Sequence, residues 1–123
     1  MLVADHEANV ETLRHVEGMR LGLAGHAWFE TYSVLTRLPS GSRLAPAEAH
    51  SLMAREFPAT RFIDAQGLDD LRARLVRLAI SGGAVYDALV GEAARSHGLP
   101  LLTRDRRALP TYEKLGVDIR LVE

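Results

Sequence analysis

The fold is decided by the stretch Gly98-Leu-Pro-Leu-Leu-Thr-Arg-Asp105, in which a glycine is followed by a short apolar run and then by an acid. The run over residues 99–103 predicts a buried strand. The preceding residues 84–97 have the pattern of a helix, which the glycine would cap. Strands that alternate with helices indicate the parallel, helix-covered sheet of the α/β class. Ligands of such sheets gather beyond the carboxyl ends of the strands, and the acid at position 105 lies there.

The same alternation of helix and strand extends along the rest of the chain. Apolar residues at three- and four-residue spacing are clearest over residues 67–80, which predicts an amphipathic helix. The other predicted helices cover residues 5–19, 26–38 and 46–57, with one further helical turn at 112–115. The other predicted strands cover residues 21–24, 60–63 and 117–122, the last of them at an edge of the sheet.

The bulk composition limits the classes of protein to which this chain can belong. Its 123 residues suit one domain, and a hydrophobic content of 47% with 25% charged residues is ordinary for a globular chain. The net charge of −1 excludes binding of nucleic acid by bulk electrostatics, although a local basic patch is compatible with it. The sequence has no cysteine and no apolar run of the ~20 residues that a bilayer span needs. We therefore expect a soluble, single-domain protein of the cytoplasm.

Three acids occupy similar apolar settings, and they are the candidate site residues. Glu30 lies among aromatic residues, Asp87 lies near the start of a predicted helix, and Asp105 lies just beyond a predicted strand. A buried carboxylate needs partners, water or a cation, and oxygen ligands suit Mg²⁺ and Mn²⁺. Taken singly, each acid has another interpretation: an exposed helical glutamate, an acid that favours a helix dipole, and a helix N-cap, respectively. We predict that the three converge on a shared divalent ion, with the hydroxyl of Thr103 nearby.

Other chemistries have weaker support in the sequence. The five histidines do not form a zinc-binding spacing, and neither a phosphate-binding loop nor a nucleophile elbow is present. Three arginines, Arg104, Arg106 and Arg107, surround the acid at the end of the predicted strand. They suit either a solvated turn or contacts with the phosphates of a nucleic acid, and both interpretations stay open at this point.

Taken together, these segments resemble the PIN-domain ribonucleases, and specifically the VapC toxins of toxin–antitoxin pairs. The matching stretches, which extend over nearly the whole chain, are residues 24–39, 82–90, 101–109 and 112–117. The resemblance implies a PIN-like three-layer sandwich, in which a central parallel sheet is flanked by helices. It also implies that Glu30, Asp87 and Asp105 are the catalytic acids that bind Mg²⁺ or Mn²⁺, and that Thr103 contributes a polar group beside them. The implied activity is endoribonucleolytic cleavage of RNA, with a cognate VapB-like antitoxin and a homodimeric state.

One departure from the family pattern concerns the N-terminus. Such proteins open with a strand that ends in an aspartate and is followed by a helix, and this chain begins at about the stretch that comes after that helix. We therefore expect that the first central strand and its acid are missing, and that residues 1–123 form a single, N-terminally truncated PIN-like domain. The opening Met1-Leu-Val-Ala-Asp5 superficially mimics a strand followed by an acid, but a helix N-cap is the expected role of Asp5.

An incomplete N-terminus keeps other functions open. The main alternative is a catalytically impaired PIN-like protein that only binds antitoxin or RNA. A more distant alternative is an α/β domain that binds a small molecule such as a nucleotide, which would stabilise the protein without any metal. Cleavage of RNA that depends on Mn²⁺ and is lost on chelation distinguishes the enzyme from both.

Overall fold

The protein contains a four-stranded parallel sheet, seen in a computed structural model that describes residues 1–5 and 20–122. The strands are β1 (Leu2–Ala4), β2 (Leu21–Leu23), β3 (Leu101–Thr103) and β4 (Ile119–Leu121), in the spatial order β2-β1-β3-β4. Each adjacent pair of strands is parallel, so all carboxyl ends lie at the same edge of the sheet. The predicted parallel sheet is thereby confirmed, with the C-terminal strand at an edge.

Helices connect the strands and flank the sheet. In the part of the chain that the structure describes, they are α1 (His26–Thr36), α2 (Pro46–Glu56), α3 (Ala65–Arg77), α4 (Ala84–Ser96) and α5 (Leu109–Leu115), with a short 3-10 turn at Arg106–Ala108. Apolar side chains of the strands and helices form one core, in which Val3, Ala93 and Leu101 are wholly buried. The predicted α/β arrangement of a central sheet flanked by helices is therefore confirmed. None of the helices described is both long and apolar enough to cross a bilayer.

The N-terminal residues overturn one expectation. Strand β1 lies between β2 and β3 in the middle of the sheet, and all three of its side chains are buried. Leu2 is in register with Leu21 on one side, and Val3 is in register with Leu101 on the other. The expectation that the chain lacks its first central strand is therefore wrong. Three consecutive apolar residues are sufficient here because the neighbouring strands are equally short and hydrogen-bond to both edges of β1.

The segment over residues 60–63 also differs from its prediction as a strand. It runs along the outer edge of β2 but makes only one isolated bridge, between Arg61 and Ala24. The close approach of this segment requires a glycine in β2, because a Cβ atom on Gly22 would lie 2.1 Å from the carbonyl carbon of Ala59. The segment is therefore a local docking of the chain onto β2 and not a further strand.

Other boundaries differ from the predicted ones by a few residues. The helix predicted over residues 67–80 begins earlier, at Ala65, because Asp64 caps it by accepting a backbone hydrogen bond at 2.7 Å. The turn predicted at 112–115 is the end of the longer helix α5. A helix is also predicted over residues 5–19, of which only residue 5 is among those described.

A buried ion triad joins α3 to α4. Glu92 is 1% exposed and accepts hydrogen bonds from Arg74 at 3.0 Å and from Arg95 at 2.9 and 2.5 Å. The hydrogen bond to this carboxylate raises the pKa of Arg95, against the effect of burial. Arg74 also donates to the backbone carbonyl of Leu115 at 2.9 Å, which ties α5 to the same point. Because a buried charge without partners is strongly unfavourable, the two arginines allow a carboxylate at this depth.

Candidate functional site

Asp5 follows the central strand β1 at the carboxyl edge of the sheet, and it is only 2% exposed. Its Oδ2 atom accepts a hydrogen bond from the hydroxyl of Tyr112 at 3.1 Å and a second one from the hydroxyl of Thr103. A carboxylate removed from water needs such compensation. The structure thus places a buried, hydrogen-bonded acid where the carboxyl ends of parallel strands collect ligands. Its expected role as a helix N-cap concerns residues outside those described.

A chain of hydrogen bonds connects the ends of the two central strands. Thr103 is the last residue of β3 and is completely buried. Its hydroxyl donates to Asp5 and accepts a hydrogen bond from the backbone N–H of Asp105 at 3.0 Å. One hydroxyl can do both because it has one donor and two acceptor positions. Thr103 therefore sets the position of the two acids relative to each other, while a direct part in catalysis stays a prediction.

Tyr112 lies on α5 and is 1% exposed, and its phenol donates a hydrogen bond to Asp5. Burial raises the pKa of Tyr112 far above its ordinary value, and the carboxylate of Asp5 raises it further by its charge and its hydrogen bond. The charges of Asp87 and Asp105 act in the same direction. The phenol therefore keeps its proton and remains a hydrogen-bond donor at any physiological pH. The charges of three acids from distant parts of the chain therefore reach the phenol of Tyr112, and Asp5 is the one that is hydrogen-bonded to it.

Asp105 also begins the 3-10 turn that follows β3. Its Oδ1 accepts a hydrogen bond from the backbone N–H of Arg107 at 3.0 Å, and its Oδ2 accepts one from the guanidinium of the same residue at 3.1 Å. The interpretation of Asp105 as a helix N-cap is therefore correct, and it coexists with a position beside Thr103. The side chain of Asp105 is 13% exposed, so the paired guanidinium offsets part of the unfavourable burial of this charge near other acids.

Asp87 and Glu30 lie on α4 and α1, two helices that pack against each other. Asp87 is half-buried in the first turn of its helix, and the preceding Tyr86 stacks on His26 with ring centroids 5.4 Å apart. The Nε2 atom of His26 is 3.9 Å from Oε1 of Glu30, whose side chain is 30% exposed. Glu30 lines an open cavity of 310 Å³ on this face of α1. Glu30 thus faces a surface cavity, whereas Asp87 acts on the buried phenol.

Among the described residues, no group of three or more carboxylate or imidazole side chains is already arranged to hold a metal ion. The convergence of Glu30, Asp87 and Asp105 on one ion therefore stays a prediction. The donor set itself is of the kind that suits a hard cation, because Asp5, Asp87 and Asp105 offer only oxygen ligands. Mg²⁺ usually keeps several waters and takes one or two protein carboxylates together with substrate phosphates. A preformed protein cage is therefore not required.

The three arginines of the predicted phosphate-binding turn lie at the surface. Arg104 and Arg106 are exposed, and the side chain of Arg107 is 75% exposed although it pairs with Asp105. An exposed guanidinium exchanges partners readily because surface ion pairs contribute little free energy. Contacts of these arginines with phosphates stay a prediction.

Two members of this site carry little signal in the sequence. Asp5 follows an apolar run that is too short for a strand pattern, and Tyr112 begins the matching stretch 112–117, in which nothing assigns a role to its phenol. A usable signal for Asp5 is the succession of an apolar run and an acid, the same pattern that indicates Asp105.

Comparison with known proteins identifies the family. The family model of the PIN domain matches residues 2–114. Ribonuclease VapC27 of Mycobacterium tuberculosis is 44% identical over 119 residues, which cover 97% of this chain and 87% of that protein. Ribonuclease VapC40 of the same species is also 44% identical over 119 residues, which cover 95% of this chain and 85% of that protein.

A solved structure agrees at the level of the fold. The crystal structure of FitAcB from Neisseria gonorrhoeae superposes with a TM-score of 0.64 and covers 97% of this chain and 96% of that chain, at 14% sequence identity. At this identity the likeness concerns the fold alone. The family match extends over β1, α4 and β3, the elements that carry or precede the buried acids. This chain therefore belongs to the PIN-domain family and, within it, to the VapC ribonucleases.

Proposed function

We propose that this protein is the toxin of a VapBC-type toxin–antitoxin pair, an endoribonuclease that hydrolyses RNA phosphodiester bonds with the help of Mg²⁺ or Mn²⁺. The observation that carries the proposal is the buried carboxylate of Asp5, which Thr103 links to Asp105 at the carboxyl edge of the sheet. Burying such a group is unfavourable for folding, and a bound cation accounts for its presence there. The reaction class is supported by the names of both VapC relatives, which are ribonucleases.

The residues that would hold the ion are Asp5, Asp87 and Asp105, together with Glu30 of α1. When bound, a divalent ion supplies positive charge to phosphate oxygens and lowers the pKa of water. The chain itself contributes orientation. Two hydroxyl groups hold Oδ2 of Asp5, and the backbone N–H of Arg107 holds Oδ1 of Asp105. Acids fixed in this way need little rearrangement when substrate binds, which favours the reaction.

The proposal includes the partners of such a toxin. The RNA backbone is expected to lie over Arg104 and Arg106, with Arg107 exchanging its pairing with Asp105 for a phosphate. Because the net charge of the chain is −1, attraction of RNA depends on local groups of cations such as this one. A VapB-like antitoxin, a homodimeric state and a cytoplasmic site of action belong to the same proposal, and membership of the VapC group supports them.

Cleavage of a structured RNA by the purified protein tests this proposal. Asp105→Asn should lower the rate of Mn²⁺-dependent cleavage by at least about 100-fold, while the fold persists because asparagine caps a helix as well as aspartate does. Asp118→Asn is the matched control, since this acid is exposed and its backbone carbonyl accepts from the first residue of β3, at the opposite edge of the sheet.

Three outcomes would contradict the proposal. If the Asp105→Asn protein cleaves RNA at the rate of the unchanged protein, the role assigned to this acid is refuted. Binding of RNA or antitoxin by the unchanged protein, without cleavage in Mn²⁺ or Mg²⁺, would identify the catalytically impaired alternative. Cleavage that persists after chelation would remove the metal from the proposal.

A further inference from the structure

We propose that Tyr112 is a positioning residue of the metal site, which acts by fixing the orientation of the Asp5 carboxylate that binds the ion. The inference rests on the proposed metal-dependent function of this site and adds to it a residue that is not itself an acid. Its basis is the hydrogen bond of 3.1 Å from the phenol to Oδ2 of Asp5, between two side chains that are at most 2% exposed.

Asp5 is held from two directions. Thr103 approaches its Oδ2 from the adjacent strand β3, and Tyr112 approaches the same oxygen from helix α5. A single donor leaves a carboxylate able to rotate about its terminal bond, which is a soft torsion. Two donors that converge on one oxygen restrict that rotation. Ligand orientation by such surrounding hydrogen bonds typically changes metal affinity by about 10- to 100-fold.

The position of the phenol ring does not depend on its hydroxyl. The ring packs against Gly91 of α4 so closely that a Cβ atom there would lie 3.0 Å from Cδ1 of Tyr112. The backbone carbonyl of Tyr112 accepts a hydrogen bond from Val117 at 3.1 Å, which anchors the end of α5. Removing the hydroxyl therefore deletes the contact with Asp5 while the ring remains in place. The two contributions, packing and positioning, are separable by Tyr112→Phe.

The first measurement is Mn²⁺ binding by isothermal titration calorimetry, without RNA. Tyr112→Phe should raise the dissociation constant for Mn²⁺ by about 10- to 100-fold, while circular dichroism stays that of the folded protein. Tyr32→Phe is the matched control because it removes the same hydroxyl from another ring, which stacks on Trp28 in α1. A folded Tyr112→Phe protein that binds Mn²⁺ as tightly as the unchanged protein overturns the inference.

A second measurement needs no change at Tyr112 and decides the matter if that variant fails to fold. The chain has three tyrosines, so ¹³Cζ-labelled tyrosine gives three ring signals that Tyr32→Phe and Tyr86→Phe assign. Titration with Mg²⁺ should shift the signal of Tyr112 with the dissociation constant that calorimetry gives for Mg²⁺. A Tyr112 signal that does not respond while Mg²⁺ binds overturns the inference.

The two proposals fail in distinguishable ways. If the unchanged protein binds neither Mn²⁺ nor Mg²⁺, the proposed metal-dependent function is refuted, and the inference about Tyr112 is refuted with it. If the unchanged protein binds the ion and cleaves RNA, but the phenol neither responds to the ion nor affects its affinity, only the inference about Tyr112 is refuted.

Discussion

Asp5→Asn tests whether the charge of Asp5 serves function or stabilises the fold. The quantity compared is the free energy of unfolding of the metal-free protein, with and without the substitution. The substitution removes the negative charge of Asp5 and preserves its shape. An amide oxygen still accepts the hydrogen bonds that Thr103 and Tyr112 donate. The change therefore isolates the free energy of holding a charge at a position that is 2% exposed.

Two opposing contributions set the size of the effect. A hydrogen bond to a charged group contributes about 1.5–3 kcal/mol, and one between neutral groups contributes about 0.5–1.5 kcal/mol. The two hydrogen bonds that Asp5 accepts therefore stabilise the fold by about 2 kcal/mol less when their acceptor becomes neutral. The desolvation penalty of a buried carboxylate, which is several kcal/mol, disappears with the charge. We therefore expect Asp5→Asn to leave the free energy of unfolding unchanged or to raise it by up to about 2 kcal/mol.

Thermal unfolding in the presence of EDTA measures this difference, and about 4 °C in Tm corresponds to 1 kcal/mol for a domain of this size. Asp118→Asn, at an exposed pair, is the control and should stay within about 0.5 kcal/mol. Mn²⁺ at 100 times its dissociation constant should stabilise the unchanged protein by about 2.7 kcal/mol and the Asp5→Asn protein by much less. A loss of more than about 2 kcal/mol in EDTA would mean that the charge of Asp5 supports the fold, which would refute the reasoning.

Three further perturbations test the surrounding structure. Arg74→Met removes a partner of the buried triad and should lower the free energy of unfolding in urea by about 2 kcal/mol. Its control is Arg72→Met, at an exposed pair, which should change this free energy by less than about 0.5 kcal/mol. Equal effects of the two substitutions would contradict the burial of the triad. Gly22→Ala places a Cβ atom on the backbone of the neighbouring segment and should destabilise the protein by about 3 kcal/mol. Its control is Gly83→Ala, where the Cβ atom meets open space and the stability should change by less than about 1 kcal/mol. A Gly22→Ala protein as stable as the unchanged one would show that the segment docks elsewhere. The pKa of Tyr112 is raised in the folded protein, so the unfolded chain loses the phenolic proton at a lower pH than the folded protein does. The stability that this group contributes is therefore complete below about pH 10 and decreases above it. Tyr112→Phe should reduce that alkaline loss in thermal unfolding between about pH 9 and 12, and an identical decline in both proteins would contradict the assignment.

The α/β class and two of the acid positions follow from short stretches of the chain. The helix that leads to Gly98, the apolar run after it and Asp105 are adjacent in sequence, so caps and hydrophobic patterns are sufficient to predict them. Asp87 is likewise identified by the two glycines before its helix. These features depend on contacts within a few residues, and the structure agrees with them.

The position of β1 and the burial of Asp5 depend on contacts that no short stretch contains. A strand of three residues shows no period, and it becomes the centre of the sheet only because β2 and β3 pair with it on both sides. The donors to Asp5 are 98 and 107 residues away in the chain, in Thr103 and Tyr112. Hydrogen bonding and exclusion of water between such distant groups arise only when the sheet and α5 are assembled. For that physical reason Asp5, which the sequence predicts to be an ordinary helix N-cap, becomes the central buried carboxylate in the folded protein.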